Sequence, residues 1–240
     1  MSSFDEGEGD LHDKDKQRAF LSKVYLVLSI QLLFTGVTVF LLTHNEASRE
    51  WLFDHPFFVL SASIGSTVLY LIIACCDKVK RSYPLNIILL ILFTICTAVM
   101  AAGMSARYRL IVVQTSFIAT ATITIVMSLL AIFAPCDVTG CSMFFVIGFV
   151  ALTVLSIVNL ILSFFMNVGI LHLIISGFAV LLLSFYIMFL TQLLVTGQFG
   201  DIRDSGQYIE AVICLYSAII DIFIHLLPVI NAVMGEGGEE

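Results

Sequence analysis

The sequence predicts an all-α, polytopic membrane protein with seven transmembrane helices, from its composition and from the spacing of its apolar runs. The 240-residue chain is 60% hydrophobic and only 12% charged, with a mean hydropathy of +1.05. A soluble domain is about half apolar and about a quarter charged. Here the charges gather at the ends and in short gaps between apolar runs. Each run is close to the length of about 20 residues that crosses a hydrocarbon core.

Seven apolar runs account for most of the chain. They are Val24–Leu42, Phe57–Cys76, Leu85–Met104, Leu110–Phe133, Met143–Phe165, Leu171–Val195 and Ala211–Val233. Lipid cannot satisfy open strand edges, and no run alternates as a barrel strand does, so we expect helices. The gap at 166–170 is short and weakly polar, which leaves open a six-span arrangement with one broken helix there.

The basic residues predict a cytosolic N-terminus. If the runs alternate in direction, eight of the 11 basic residues share the N-terminal side, and only Arg49, Arg107 and Arg109 lie opposite. The eight are Lys14, Lys16, Arg18, Lys23, Lys78, Lys80, Arg81 and Arg203. We therefore expect a disordered acidic cytosolic tail over residues 1–23, a membrane domain over 24–233 and a short acidic tail over 234–240.

Enzyme chemistry and cofactor binding have little support in the sequence. Three of the five histidines, His12, His44 and His55, lie in a tail or a loop, which leaves too few ligands for a metallohydrolase. Ser217 and His225 are eight residues apart on one predicted helix, two turns from each other, so they do not form a nucleophile–base pair. We expect no enzyme activity, no cofactor, no metal and no nucleic-acid partner.

The six cysteines are expected to be free thiols. Cys136 and Cys141 share a loop that the basic residues place in the reducing cytosol, where a disulfide is disfavoured. Without a nearby histidine, this pair is also a poor zinc site.

Ionisable groups inside the predicted spans are the main functional clue, because they are costly there and mark ion or proton pathways. Asp221 and His225 lie four residues apart in the seventh run and hence on one helix face. A carboxyl in a dry position would be protonated, or paired with His225 or a cation. The pair is therefore either a proton or cation site, or a polar contact between helices beside a water-filled vestibule.

Three stretches, in order, resemble the transmembrane Bax-inhibitor-motif family and its lifeguard branch. The first is Arg18–Leu33, which contains Phe20-Leu21-Ser22-Lys23-Val24-Tyr25 and Leu28-Ser29-Ile30-Gln31-Leu32-Leu33. The second is Tyr83–Leu90, with Pro84 and Asn86 after a basic turn. The third runs from Phe189-Leu190-Thr191-Gln192 through Tyr208–Ala211 to Leu215–Phe223.

The resemblance implies a seven-helix Bax-inhibitor-type bundle in the endoplasmic reticulum or Golgi, a calcium or proton-linked cation leak, and restraint of apoptosis. It also implies a pH-sensing pair of aspartates on the last two helices. Here Leu190 replaces the first aspartate, before the matching Thr191 and Gln192, and Ala218 replaces the second. Asp221 lies nearly one turn beyond Ala218, where it would serve as a displaced acid facing Leu190.

Two functions remain open at this point. The first is a lifeguard-type protein that modulates intracellular calcium, as a cation leak channel, and restrains apoptosis, with Asp221, His225, Thr191 and Gln192 as candidate ion or proton ligands. The second is a non-conducting regulator that has lost the di-aspartate sensor and acts through membrane-protein partners. The lipid bilayer is a partner in both, and calcium ions or protons are partners in the first.

Overall fold

The computed structural model describes residues 2–133, 139–166, 168–199 and 205–236, and within these ranges the chain is almost entirely helical. The helices are α1 (Ser2–His44), α2 (Glu46–Asp54), α3 (Pro56–Cys75), α4 (Asp77–Arg81), α5 (Leu85–Ser105), α6 (Leu110–Phe133), α7 (Ser142–Ser163), α8 (Gly169–Val195) and α9 (Ser205–Glu236), with a 3₁₀ turn at Thr139–Cys141. Seven of them are long and apolar enough to cross a membrane, as the sequence predicts.

The first span begins earlier than predicted. Helix α1 starts at Ser2, and its apolar span runs over Gln17–His44, whereas the predicted run begins at Val24. Two contacts hold residues 17–23 in the bundle: Phe20 is buried, and the side-chain amide of Gln17 donates to the carbonyl of Val195 at the end of α8. Acidic composition favours disorder only where no such contacts form.

Helix α1 packs through a single stripe of side chains. The buried members recur every three or four residues, as one helix face requires, and they are Phe20, Val24, Leu28, Gln31, Thr35 and Val39. The stripe coincides with the first motif of the sequence. Its polar members bind other helices: the Gln31 amide donates to Thr94 Oγ1 at 2.6 Å, and Thr35 Oγ1 lies 2.7 Å from the Tyr216 hydroxyl.

The six-span arrangement is excluded by the contact between α7 and α8. Asn159 Nδ2 lies 3.4 Å from His172 Nδ1, although the two residues are 13 apart in the chain. In one continuous helix they would be about 20 Å apart. The aromatic rings of Phe145 and Phe189 meet at 4.8 Å near the other ends of the same helices. Helices α7 and α8 are therefore two separate, antiparallel spans.

Polar contacts near both ends of the bundle join residues that alternating spans place at the same depth. Near the N-terminal face, Lys80 Nζ of α4 binds Glu210 Oε2 of α9 at 2.8 Å. Near the opposite face, Arg49 donates from Nε to the carbonyl of Ala106 and from a terminal nitrogen to that of Tyr108, both at 2.9 Å. These contacts satisfy carbonyls that the end of α5 leaves without intrahelical donors.

Serine and threonine hydroxyls of α6 bond back to their own helix. Ser116 and Thr120 are buried and donate to the carbonyls of Val112 and Ser116, and Thr115 and Thr122 repeat the pattern on exposed faces. Among the described cysteines, Cys75, Cys76, Cys96, Cys141 and Cys214 are free thiols, whereas Cys136 lies outside the described residues.

Helices α3 and α5 approach closely at small residues. A Cβ atom added to Gly103 of α5 would lie closer to Val59 Cγ2 of α3 than carbon atoms can pack. Lipid gives no hydrophobic drive for helix pairing, so this approach is stabilised by dispersion between small residues. Ala98, Ala101 and Ala102 continue the same buried face of α5.

We expect Gly103→Ala to destabilise the protein by about 1–3 kcal/mol, because β-branched Val59 cannot move aside without shifting a helix. Thermal unfolding in detergent should show a lower Tm. Gly177→Ala on α8 is the matched control, since nothing lies within 4 Å of the added Cβ. Equal Tm values for the two variants would contradict close packing of α3 on α5.

Candidate functional site

A central cavity of about 370 Å³ lies among α3, α5, α7, α8 and α9. Hydroxyl-bearing side chains supply much of its polar lining, and they are Ser66, Thr67, Tyr70, Thr97, Tyr186 and Ser217. Two of these hydroxyls, those of buried Thr97 and half-buried Ser217, have no hydrogen-bond partner among the described residues. Unpaired polar atoms beside a cavity of this size are suited to binding water or an ion.

One end of the central cavity holds a thiol between two phenols. The Tyr70 hydroxyl lies 4.0 Å from Cys214 Sγ, and Tyr186 lines the same cavity. Cys214 lies one turn along α9 from Glu210, whose carboxylate binds Lys80. The Lys80–Glu210 pair therefore stands near the mouth of the cavity on the N-terminal side of the membrane.

A lateral cavity of about 380 Å³ lies between α7 and α9. Thr153 and Ser156 of α7 contribute its hydroxyl groups, and Asp221 and His225 contribute its ionisable groups. Phe149, Leu183 and Asp221 line both this cavity and the central one. The two cavities therefore meet at the Asp221 carboxylate.

Asp221 stands at the midpoint of the span Gln207–Gly235, farthest from both membrane faces. Its neighbours Ile220 and Ile222 are buried at 4% and 0% exposure, whereas the Asp221 side chain is exposed to the cavities. The lateral cavity is present because α7 packs mainly on α8 and lies apart from α9. The sequence prediction that Asp221 and His225 share one helix face is confirmed by their shared cavity.

His225 reaches across to α8. Its Nδ1 atom lies 3.5 Å from Ser176 Oγ, a distance at the limit of a hydrogen bond. Ser176 has no exposed surface, so no substrate can reach this serine and the pair does not have the geometry of a hydrolase. Ser217, which the sequence analysis considered as a nucleophile, lines the central cavity, whereas His225 lines the lateral cavity.

The two positions at which the resemblance expects aspartates are both buried. Leu190 is 3% exposed and Ala218 is 2% exposed. Ala218 lines the central cavity one turn from Asp221. The expectation that Asp221 faces Leu190 was wrong, because the α8 residue that shares both cavities with Asp221 is Leu183. Leu190 lies seven residues farther along α8, about 10 Å away.

Thr191 and Gln192 are not brought to the carboxylate. Both are buried on α8, at 0% and 5% exposure, and neither lines the central or the lateral cavity. The Thr191 hydroxyl has no hydrogen-bond partner among the described residues. Asp221 and His225 are thus together, and the other two candidates lie apart from them, nearer the N-terminal face.

Sequence reasoning missed the contacts between helices that complete this region. Tyr70 and Tyr186 around Cys214, and Asn159 beside His172, pair residues at separations of up to 144 positions. A sequence signal existed only for His172, as an ionisable residue at the start of a span. In the described ranges, no three His, Cys, Asp or Glu side chains stand close enough to hold a metal ion.

Comparison with known proteins agrees with the motifs. Residues 17–235 match the family described as "Inhibitor of apoptosis-promoting Bax1". "Protein lifeguard 3" of Homo sapiens is 29% identical over 225 residues, which cover 94% of this chain and 72% of the relative. "Protein lifeguard 3" of Mus musculus is 27% identical over 230 residues, 96% of this chain and 74% of the relative. "Protein lifeguard 4" of Mus musculus is 28% identical over 217 residues, with shares of 90% and 85%.

The match covers seven of the described helices completely, α2 to α8, together with residues 17–44 of α1 and all but the last residue of α9. The motif residues have structural roles in it: Gln31 binds Thr94, and Asn86 holds the carbonyl of Lys80 at 3.0 Å. The chain is therefore a seven-helix integral membrane protein that belongs to the Bax-inhibitor family, with lifeguard proteins among its relatives.

Proposed function

We propose that this protein restrains apoptosis from within an intracellular membrane and passes calcium or other cations across it, with Asp221 as the ion-binding group. One observation carries the proposal: a carboxylate at the midpoint of the last span is exposed to two cavities that meet at it. A charge so deep in a span costs several kcal/mol, so it is retained where it serves a pathway. The family and its lifeguard relatives supply the link to apoptosis.

Within this proposal, Asp221 and His225 form the ion site, and Thr191 and Gln192 serve the packing of α8. Hydroxyls of Thr97 and Ser217 offer neutral oxygen ligands on the side of the central cavity, and those of Thr153 and Ser156 do so on the lateral side. Oxygen ligands suit a hard cation such as Ca²⁺. A single carboxylate holds such an ion weakly, which suits passage better than storage.

Calcium efflux from proteoliposomes that contain the purified chain tests the ion pathway. We expect efflux above that of empty liposomes, and Asp221→Asn should lower it roughly tenfold or more, because one charge-assisted contact is worth about 1.5–3 kcal/mol. Efflux should fall from pH 8 towards about pH 5, since protonated imidazole repels cations and a protonated carboxyl binds them poorly.

Asp54→Asn is the matched control for this experiment. It removes an acid of the same type from an exposed position at the end of α2, outside the spans, and should leave efflux unchanged. Equal efflux from Asp221→Asn and the wild type would refute the role of Asp221. Efflux no greater than that of empty liposomes at any pH, from protein shown to be folded, would refute conduction itself.

A second function is favoured by a specific observation. Both expected acid positions hold buried apolar side chains, Leu190 and Ala218, so the pH-sensing pair cannot form. The alternative is a non-conducting regulator that acts by contact with other membrane proteins. In this case the cavities are packing defects with bound water, and Asp221 is a solvated polar contact.

Cell survival separates the two functions. In cells that lack their own lifeguard proteins, expression of the wild-type chain should raise survival after an apoptotic stimulus. If conduction is the mechanism, Asp221→Asn should lose most of this protection at equal protein levels, because the ion site is gone. Full protection by Asp221→Asn would support the non-conducting regulator and reject the leak as the mechanism.

We also propose a cytosolic N-terminus and residence in the endoplasmic reticulum or Golgi. The distribution of basic residues supports the orientation, with eight of 11 on the N-terminal side when the seven spans alternate. The family resemblance of the motifs supports the location.

Epitope tags at residue 2 and after residue 240 test the orientation. Seven spans place the two ends on opposite faces, so after selective permeabilisation of the plasma membrane only the tag at residue 2 should bind antibody. Complete permeabilisation should expose both tags. Access to the C-terminal tag alone would reverse the orientation, and access to both at the first step would contradict an odd number of spans.

A further inference from the structure

A row of proton-exchanging side chains runs from Asp221 towards the membrane face opposite the N-terminus. His225 follows Asp221 by one turn of α9 and lines the same lateral cavity. His172 lies on the first turn of α8, near that opposite face, and lines one cavity with Pro228, which follows His225 by three residues on α9. Asp221, His225 and His172 thus stand at successive depths between the middle of the membrane and its surface.

The end of this row is open. His172 lines an end cavity of about 770 Å³, together with residues of the α7–α8 connection and with Pro228 and Ala232 of α9. His172 is itself exposed, His225 is half-buried, and Asp221 is exposed to the lateral cavity. Pro228 has no N–H, so the carbonyl of Ile224 beside His225 is left without its intrahelical donor and adds an acceptor along the row.

Asn159 of α7 supplies an acceptor for a charged His172. Its Nδ2 lies 3.4 Å from His172 Nδ1, and its Oδ1 is buried with no hydrogen-bond partner among the described residues. In this arrangement the amide donates to a neutral imidazole. When His172 gains a proton, rotation of the amide by half a turn presents the unpaired oxygen to the new N–H. The Asn159 oxygen would thus accept a hydrogen bond from protonated His172.

Among the described residues, the ionisable groups that line the lateral cavity and the end cavity are Asp221, His225 and His172. Helices α6 and α7 contain no acidic or basic residue over Leu110–Phe133 and Ser142–Ser163. The remaining groups near Asp221 are the phenols of Tyr70 and Tyr186 and the thiol of Cys214, which line the central cavity on the other side of it. Proton traffic on the lateral side therefore depends on the two histidines.

We propose that protons reach Asp221 from the membrane face opposite the N-terminus, by way of His172 and His225. The proposal rests on the proposed function, in which Asp221 is the ion-binding group. An imidazole takes up a proton at the surface as an imidazolium and gives it up again near neutral pH. Water in the lateral cavity carries that proton to the Asp221 carboxylate, which becomes a carboxyl, while both histidines return to the neutral form.

Proton flux into proteoliposomes tests the path, with a pH-sensitive dye inside and a potassium ionophore to dissipate the potential. We expect His225→Gln and His172→Gln to slow proton entry about a hundredfold, the lower end of the contribution of a positioned acid–base group. Asp221→Asn should slow it at least as much. His55→Gln is the matched control: this histidine lies at the same membrane face, contacts Trp51 instead of the row, and should leave the flux unchanged.

The outcomes separate this proposal from the one on which it rests. If Asp221→Asn lowers cation or proton flux and both histidine variants behave as His55→Gln does, the histidine path is overturned and Asp221 remains the ion site. If the wild type carries neither ions nor protons, both proposals fall. Size-exclusion profiles and Tm values near those of the wild type establish that the variants are folded.

A second measurement uses only the wild-type chain, so its result does not depend on whether a variant folds. In vesicles with one protein orientation, the pH is changed on one side at a time by the same amount. We expect the rate of cation efflux to respond to the pH at the face that carries the C-terminus and not to the pH at the other face. An equal response from both faces, or a response only from the N-terminal face, would overturn the proposal.

Discussion

The structure depends on the burial of α9 among the other spans. The largest fully buried side chains include Tyr216, Phe223, Ile213 and Leu227, all on this helix. The ring of Phe117 stacks on Phe223 at 4.4 Å, and Phe93 meets Tyr216 edge to face at 5.7 Å. In lipid, helices gain nothing by hiding apolar side chains from water, so this density of contact is what orders the bundle. It also fixes the rotation of α9, and hence the direction of Asp221.

A few polar contacts set the depth at which the helices meet. Three contacts each join two spans, or a span and a connection, at matching depths. They are Gln31 with Thr94, Thr35 with Tyr216, and Lys80 with Glu210. Each of these groups would be costly to bury alone, so any slip of one helix along another would leave polar atoms unpaired. Among the described residues, Thr97 and Ser217 line the central cavity with hydroxyls that have no hydrogen-bond partner.

The sequence predicts the spans well and the site only in part, for a physical reason. Apolar length decides where a helix crosses lipid, so the ends of α3, α5, α6 and α7 fall within two residues of the predicted runs. The start of α1 differs because Phe20 and Gln17 make contacts that composition does not reveal. Asp221 and His225 were paired correctly, because four residues on one helix fix a shared face. The α8 residue that lines both cavities with Asp221 is Leu183 and not Leu190. This depends on how α8 and α9 pair, which no local sequence pattern reveals.

A site with Asp221 alone would act differently from the pair of aspartates that the family resemblance implies. Two carboxylates that share a proton still carry one negative charge when that proton is bound, so a cation and a proton can be held together. Asp221 alone carries at most one charge, and a proton on it removes the only formal negative charge among the described residues that line the two cavities. Cations and protons must therefore exclude each other at this position. The histidines on the lateral side set the rate at which a proton reaches Asp221. Regulation by pH would then depend on proton supply to one carboxylate and not on a proton shared between two carboxylates.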